Sequence, residues 1–273
     1  MDTQTSNKVT SKDGTRIAYE KLGEGPAVIL ITGALGVRMS PELAELLAEH
    51  FTVYNFDRRG RGNSGDTLPY AVEREIEDIE ALIDEAGRQG STGSAFLCGM
   101  SSGAALALEA ANKLGEGKVT KQALYEPPFI VDDTIAPLPH DYVQQATEMS
   151  ATGRRGDAVA LFMKVAGVPE DFVPQMREMP MWPDLEKTAH TIAYDGTVMG
   201  DNMSGKPLAP NQWPGATMPT LVIVGGESPA FFQNGTQAVA DILPNARRFS
   251  LEGQTHDVSM EALAPVLVEF FNS

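Results

Sequence analysis

Short apolar runs alternate with amphipathic segments along most of this chain. Runs of consecutive apolar residues predict buried strands, and positions with a 3.6-residue period predict helices between them. This alternation favours a mostly parallel sheet covered by helices on both faces. The predicted strands are 27–31, 52–56, 95–98, 122–125, 220–224 and 246–251, and the predicted helices are 40–50, 70–86, 104–111, 231–242 and 260–271. The Asp13-Gly14 pair predicts a β-hairpin at the start.

The pattern changes between residues 127 and 215, where helices are predicted at 141–151, 155–166, 169–178 and 184–194 but no strand is predicted. We therefore predict an α/β core formed by residues 1–126 and 216–273, with 127–215 inserted as a helical cap. Ligand sites in parallel sheets form at the carboxyl ends of the strands. An insertion after residue 126 lies over that edge, so its apolar side chains, Trp182 among them, are expected to line a pocket.

A nucleophile elbow is predicted where the strand 95–98 ends. The residues Gly99-Met100-Ser101-Ser102-Gly103 follow that strand and precede a helix. A serine on such a turn is held above the sheet edge, and the flanking glycines tolerate the required backbone torsions. The helix directs its amide-rich N-terminus at the same place, which favours negative charge on a substrate oxygen. Ser101 is therefore the candidate nucleophile.

A serine nucleophile needs a base, and one of the chain's four histidines occupies a suitable position. His50 ends a helix on the other side of the sheet, while His140 and His190 belong to the predicted cap. His256 follows the last strand, late in the chain, as the order nucleophile, acid, histidine requires. We expect His256 to be the general base.

The oxyanion donors are expected to be backbone amides. One is the N–H of Ser102, directly after the nucleophile, and the other is the N–H of Ala34 in the loop after the strand 27–31. Leu35, Met100 and Trp182 are the residues predicted to line the substrate pocket.

Composition excludes several classes of function. The formal net charge is −16 and the isoelectric point about 4.6, which disfavours binding to nucleic acid or to anionic membranes. A single cysteine, Cys98, excludes an internal disulfide and is expected to pack in a strand.

The polar start, MDTQTSNK, shows no secretory leader and no run is long enough to span a bilayer, so a cytoplasmic protein is predicted. No metal site is predicted. A homodimer is compatible with the sequence.

The chain resembles the α/β-hydrolase superfamily. The resemblance rests on the elbow 99–103, the strand and loop ILITGALG, the loop DRRGRGNSG and the late histidine, and it covers nearly everything outside the cap. It implies an α/β-hydrolase fold. The chain departs from the family pattern at two positions. Thr32 stands where many members have histidine, and Ser228 stands where the usual acid follows the strand 220–224.

The resemblance also implies where the missing acid is found. Glu126 ends the strand after the elbow helix, at a position that some superfamily members use instead. The sequence there is similar to lactone hydrolases of the zearalenone-degrading kind, in which a glutamate completes a Ser-Glu-His triad. Glu227 is the alternative, one residue from the usual position. Asp257 is a poor candidate because a sequence neighbour rarely reaches the imidazole Nδ1 of His256.

We therefore predict a cofactor-independent serine hydrolase that cleaves an ester or lactone with a hydrophobic acyl or ring portion. The same residues are compatible with a cofactor-free haloperoxidase or perhydrolase, or with C–C bond hydrolysis. A different class of function, a ligand-sensing protein with the hydrolase fold, gains support from the missing usual acid.

Overall fold

The computed structural model describes residues 7–273, and within them eight strands form one sheet. The strands are β1 (Asn7–Thr10), β2 (Arg16–Leu22), β3 (Ala27–Ile31), β4 (Thr52–Phe56), β5 (Ala95–Met100), β6 (Val119–Tyr125), β7 (Thr220–Gly225) and β8 (Ala246–Leu251). Their order across the sheet is β1-β2-β4-β3-β5-β6-β7-β8. The strands β4, β3, β5, β6, β7 and β8 are parallel to one another, whereas β1 and β2 join as an antiparallel hairpin.

Helices cover both faces of this sheet, which confirms the predicted fold class. The helices outside the insertion are α1 (Pro41–Ala48), α2 (Val72–Arg88), α3 (Ser102–Leu114), α9 (Ala230–Ile242) and α10 (Met260–Asn272). Those inside it are α4 (Tyr142–Ala151), α5 (Arg155–Val165), α6 (Val173–Arg177), α7 (Trp182–Thr188) and α8 (Ile192–Met199), with 3₁₀ segments at Ala189–Thr191 and Gly200–Met203.

Each face of the sheet has its own apolar layer because the parallel strands are apolar on both sides. One layer packs α2, α3 and α9 on the sheet through side chains such as Ile79, Leu108 and Val239. The other packs α1 and α10 on the opposite face and contains Cys98. The Cys98 thiol is buried, which raises its pKa to about 12 and is consistent with a packing role.

The insertion between Tyr125 and Thr220 contains only helical elements in the part of the chain that the structure describes. One of them is shorter than the sequence pattern predicts. A helix over 169–178 was expected, but α6 spans only Val173–Arg177, because Pro174 restricts its first turn and Pro180 stops its continuation.

Residues 1–6, on which the prediction of a missing leader rests, lie outside the described residues. Among the helices of residues 7–273, none has the length and apolar character needed to cross a bilayer.

The elbow helix α3 approaches the sheet so closely that two positions accept only glycine. A Cβ atom on Gly103 would overlap with the carbonyl oxygens of Ile31 and Thr32, and one on Gly99 would overlap with backbone atoms of Gly103 and Ala104. These contacts are with backbone, which cannot rotate away as a flexible side chain can. Glycine at both positions therefore lets α3 start directly at the carboxyl end of β5.

We predict that Gly103→Ala lowers the free energy of unfolding by about 1–3 kcal/mol, because the added methyl group must displace the β3 backbone. Urea denaturation followed by circular dichroism measures the change. Gly117→Ala is the matched control: a Cβ there meets no atom within 4 Å, so we expect a change within about 0.5 kcal/mol. Equal effects of the two substitutions would contradict the proposed close contact.

Candidate active site

Ser101 occupies the turn between β5 and α3 in a strained backbone conformation. Its torsions are φ 55° and ψ −126°, in a region that side chains disfavour. Its N–H donates to Tyr125 O at 2.8 Å, and its carbonyl accepts from Ala104 N at 2.9 Å. The turn is therefore held by hydrogen bonds to the next strand and to the helix, and Ser101 lines a cavity above the sheet.

The loop after β3 lies against this serine. A Cβ atom built on Gly33 would be 3.0 Å from Ser101 Cβ and 3.6 Å from its Oγ, so the loop backbone lies beside the hydroxyl. Within residues 7–273, neither the N–H of Ala34 nor that of Ser102 donates to a protein acceptor. Ala34 and Ser102 both line the cavity with Ser101, so these two backbone donors are available to a ligand.

His256 contacts a buried carboxylate, and that carboxylate belongs to Glu126. His256 Nδ1 lies 2.6 Å from Glu126 Oε2. The other carboxylate oxygen, Oε1, accepts from Gly225 N at 2.7 Å and from Ser228 Oγ at 2.5 Å. Glu126 is fully buried, and its two oxygens therefore divide between the imidazole and the end of β7.

The backbone of Glu126 is also held in an uncommon conformation. Its φ is 46°, and its N–H donates to Ile223 O at 3.0 Å. Positive φ values at non-glycine residues occur in the described chain at Leu35, Ser101, Glu126 and Asn211. Three of these four lie around the elbow, which is the distribution expected of a functional site rather than of a general scaffold.

Among the described residues, the acid that pairs with His256 is Glu126 rather than Glu227 or Asp257. Glu227 is exposed, and its N–H donates to Gln254 O. Asp257 is exposed as well, and it lines the cavity rather than contacting the imidazole Nδ1. Of the acids considered from sequence, the structure brings Glu126 to His256.

His256 itself is positioned by an aromatic contact. Its ring stacks on Phe232 of α9, with the centroids 4.4 Å apart and the planes 14° from parallel. Tyr125 OH donates to the carbonyl of the preceding residue, Thr255, at 2.5 Å. With Nδ1 turned to Glu126, the Nε2 edge of the ring remains for the cavity, which Ser101 and His256 both line.

The cavity has a volume of about 760 Å³, within the range of small-molecule sites. Its wall combines the elbow, the loop after β3, the insertion and the end of β8. Most of the lining side chains are apolar, and five of them are methionines; the larger apolar ones are Met39, Met100, Ile135, Leu138, Phe162, Val165, Met199, Met203, Phe231, Phe232 and Met260.

Only one of the three residues predicted to line the pocket does so. Met100 contributes to the wall, but Leu35 and Trp182 do not. Both are buried instead in the apolar cluster of the insertion, and Trp182 Nε1 donates to Glu186 Oε1 at 3.2 Å. The indole N–H is satisfied within α7 by Glu186, and the ring packs in the apolar cluster between the helices of the insertion.

A network of buried charges contacts the elbow at Ser102 and was not predicted. Asp195 of α8 accepts from Arg58 Nη1 at 2.7 Å, from Arg61 Nη2 at 2.7 Å and from Ser102 Oγ at 2.8 Å. Arg58 also forms a two-bond pair with Glu75 at 2.8 and 2.9 Å. Burial raises the pKa of Asp195, but the charges of Arg61 and Arg58 outweigh it and hold the pKa below its ordinary value.

Sequence reasoning missed the roles of Ser228, Phe232 and the arginine loop. Ser228 was recognised only as a departure from the usual acid, although its position implies a side chain directed at the site. The loop DRRGRGNSG contributed to the resemblance without a function for Arg58 or Arg61. Within residues 7–273, no group of three or more His, Cys, Asp or Glu side chains is arranged to hold a metal ion.

Comparison with known proteins identifies one family. A family model described as "Alpha/beta hydrolase family" matches residues 28–267. Among solved structures, an alpha/beta hydrolase from Sphaerobacter thermophilus shares 52% sequence identity, with a TM-score of 0.86; the match covers 97% of this chain and 100% of that one.

More distant structures share the fold. The esterase EaEST from Exiguobacterium antarcticum is 19% identical, with a TM-score of 0.70 over 98% of this chain and all of the other. The enol-lactonase from Burkholderia xenovorans LB400 is 22% identical, with a TM-score of 0.67 and the same coverage. Among curated proteins, the probable oxidoreductase EphD of Mycobacterium tuberculosis is 35% identical over 88 residues, which span 30% of this chain and 15% of that protein.

We predict that Ser228→Ala lowers the free energy of unfolding by about 1–3 kcal/mol, because a fully buried carboxylate loses a donor. Urea denaturation at neutral pH measures the change. Ser250→Ala is the control, since that serine is exposed on β8 and its substitution is expected to change stability by less than about 0.5 kcal/mol. A Ser228→Ala protein as stable as the control would show that the Oγ bond to Glu126 is unimportant.

Proposed function

The chain belongs to the alpha/beta hydrolase family, and from this premise we propose that it is a cofactor-independent serine hydrolase that cleaves a carboxylic ester or a lactone. The observation that carries the proposal is the arrangement around Glu126. Acyl transfer by serine needs a carboxylate that orients the histidine, and Glu126 contacts the Nδ1 edge of His256, while a strained serine, Ser101, lines the same cavity as that histidine.

In the proposed reaction, Ser101 Oγ attacks the substrate carbonyl carbon and His256 Nε2 accepts the hydroxyl proton. The negative oxygen of the tetrahedral intermediate is stabilised by the N–H groups of Ala34 and Ser102. The intermediate collapses to an acyl-enzyme, and His256 returns the proton to the departing alcohol. Water, deprotonated by His256, then attacks the acyl-enzyme, and the second tetrahedral intermediate collapses as His256 returns the proton to Ser101 Oγ, which releases the acid and the free serine.

Glu126 acts through the imidazole in this scheme. Its negative charge stabilises the imidazolium that forms when His256 takes the proton, and its position fixes the ring orientation. Gly225 and Ser228 donate to the oxygen that His256 does not use, so the carboxylate cannot rotate away. The absence of an acid at position 228, which favoured a sensing protein, is therefore offset by Glu126.

The cavity supports a hydrophobic acyl or ring portion in the substrate. Its wall is mainly methionine, phenylalanine and aliphatic side chains, which reward the burial of apolar surface. Methionine is flexible and adapts to irregular shapes, so chain and ring substrates both fit such a wall. The similarity to structures named an esterase and an enol-lactonase points to the same bond types.

We predict that Ser101→Ala abolishes hydrolysis of p-nitrophenyl esters and that Glu126→Ala lowers kcat by about 10²–10⁴-fold, since the imidazolium loses its partner. Steady-state assays measure both, and a fluorophosphonate probe is expected to modify the peptide that contains Ser101. Glu227→Ala is the matched control, because that carboxylate is exposed, and its kcat is expected to stay within about twofold.

The reverse result, with Glu227→Ala inactive and Glu126→Ala active, would transfer the acid role to Glu227. Absence of both labelling and turnover in the unaltered protein would refute the hydrolase and favour a sensing role.

We also predict that kcat/KM for p-nitrophenyl esters increases from acetate to hexanoate by about three- to fourfold per added CH₂. Burial of each CH₂ group contributes about 0.8 kcal/mol of favourable free energy. A series assayed at equal enzyme concentration measures the trend. Values that stay flat or decrease along the series would contradict an apolar acyl site.

A further inference from the structure

Asp195 is a buried carboxylate of the insertion that accepts hydrogen bonds from Ser102 of the elbow and from two arginines of the loop after β4. It lies 93 residues from Ser102 in sequence, yet the two side chains are hydrogen-bonded. Its side chain is 6% exposed, and the residue contributes to the cavity wall next to Ser101 and Ser102. The remaining question is what its three bonds, to Ser102, Arg58 and Arg61, do for the site.

We infer that Asp195 is a positioning residue that sets the direction of the two oxyanion donors, the N–H groups of Ala34 and Ser102. The inference rests on the hydrolase function proposed above.

Two arginine side chains donate hydrogen bonds to carbonyl groups of the loop after β3. Arg61 Nη1 donates to Gly33 O at 2.7 Å and to Gly36 O at 2.8 Å. Arg58 Nη1 donates to Thr32 O at 3.2 Å. The loop contains no regular element and lies between β3 and α1, so these bonds decide which way its peptide groups face.

The peptide group between Gly33 and Ala34 couples the direction of its carbonyl to that of its N–H. The carbonyl of Gly33 and the N–H of Ala34 belong to one planar trans peptide group, in which the two bonds point in opposite directions. When Arg61 holds the Gly33 oxygen, the Ala34 N–H must therefore point away from the guanidinium. Because the Gly33 backbone lies beside the Ser101 hydroxyl, Arg61 sets the donor that the substrate oxygen meets.

Arg61 is linked to the insertion through Asp195. Arg61 Nη2 donates to Asp195 Oδ2 at 2.7 Å, and among the described residues its buried Nε has no acceptor. Apart from the loop carbonyls, Asp195 is thus the side-chain contact that orients this guanidinium. The other oxygen, Oδ1, accepts from Ser102 Oγ and holds the residue whose N–H is the second oxyanion donor.

Charge balance explains why the carboxylate does not oppose the reaction. A lone negative charge beside a developing oxyanion would destabilise it. Here the two carboxylates Glu75 and Asp195 are matched by the two guanidiniums Arg58 and Arg61. The network can therefore orient the amides without adding a net negative charge next to Ser102.

The experiment compares Asp195→Asn with the unaltered protein and with Tyr194→Phe, the matched control. Tyr194 is the neighbouring residue of α8, and its hydroxyl donates to Asp66 rather than to the loop after β3. Ester hydrolysis, circular dichroism and thermal unfolding are measured for each protein. The key readout is the kcat/KM ratio of an ester to its thionoester, whose larger sulfur is a poor partner for oxyanion donors.

We expect Asp195→Asn to lower kcat by about 10- to 100-fold at nearly constant KM, and to lower the ester-to-thionoester ratio by about tenfold or more. Tyr194→Phe is expected to leave both within about twofold. A ratio unchanged in folded Asp195→Asn overturns the inference, even where overall activity falls, because a merely structural carboxylate would slow both substrates equally.

Ser102→Ala decides the matter if Asp195→Asn does not fold. It removes one bond to Asp195 and keeps the backbone donor, so we expect the ratio to fall by about two- to tenfold; an unchanged ratio overturns the inference. An unaltered protein that neither hydrolyses the ester nor accepts a fluorophosphonate at Ser101 instead refutes the hydrolase function, and the inference with it.

Discussion

The site depends on a backbone contact between the start of α3 and the end of β3. Because Gly103 has no side chain, the helix lies directly against the carbonyl oxygens of Ile31 and Thr32. This contact brings the loop after β3 beside Ser101, so that Ala34, Ser101 and Ser102 line the same cavity. A larger residue at position 103 would separate the loop that carries Ala34 from the turn that carries Ser101.

The parallel sheet brings the remaining groups to the same place. β5, β6 and β7 are neighbours in the sheet, and Ser101, Glu126 and Ser228 all follow the carboxyl ends of these strands. His256 follows β8, the next strand across. A carboxylate at the end of β6 can therefore contact a histidine loop two strands away, because β7 ends in a glycine amide and a serine that fill the space between them.

The sequence was sufficient to predict the elements with strong local signals. The apolar runs gave the strands, the glycines around Ser101 gave the elbow, and chain order selected His256. Position also selected Glu126, but only through resemblance, because no local pattern distinguishes a triad acid from a strand-end glutamate. The structure adds the contact between Glu126 and His256.

Long-range packing could not be predicted in the same way. Trp182 was expected at the pocket because of its residue type, whereas the crossing of short helices buries it elsewhere. Asp195 and Arg61 are 134 residues apart, and no periodicity in the sequence indicates that their side chains meet. The same holds for the stacking of Phe232 on His256, which depends on how α9 crosses the end of β8.

The serine at position 228 has a consequence for how such sites can diverge. Its hydroxyl and the Glu126 carboxylate are in direct contact, so the two alternative locations for an acid in this fold are adjacent and share one hydrogen-bonding space. A carboxylate at position 228 would lie where the Ser228 hydroxyl lies now, next to the same oxygen of Glu126. Exchange of the acid between the two strand ends therefore requires two point substitutions, at positions 126 and 228, with no insertion, no change of topology and no movement of Ser101 or His256.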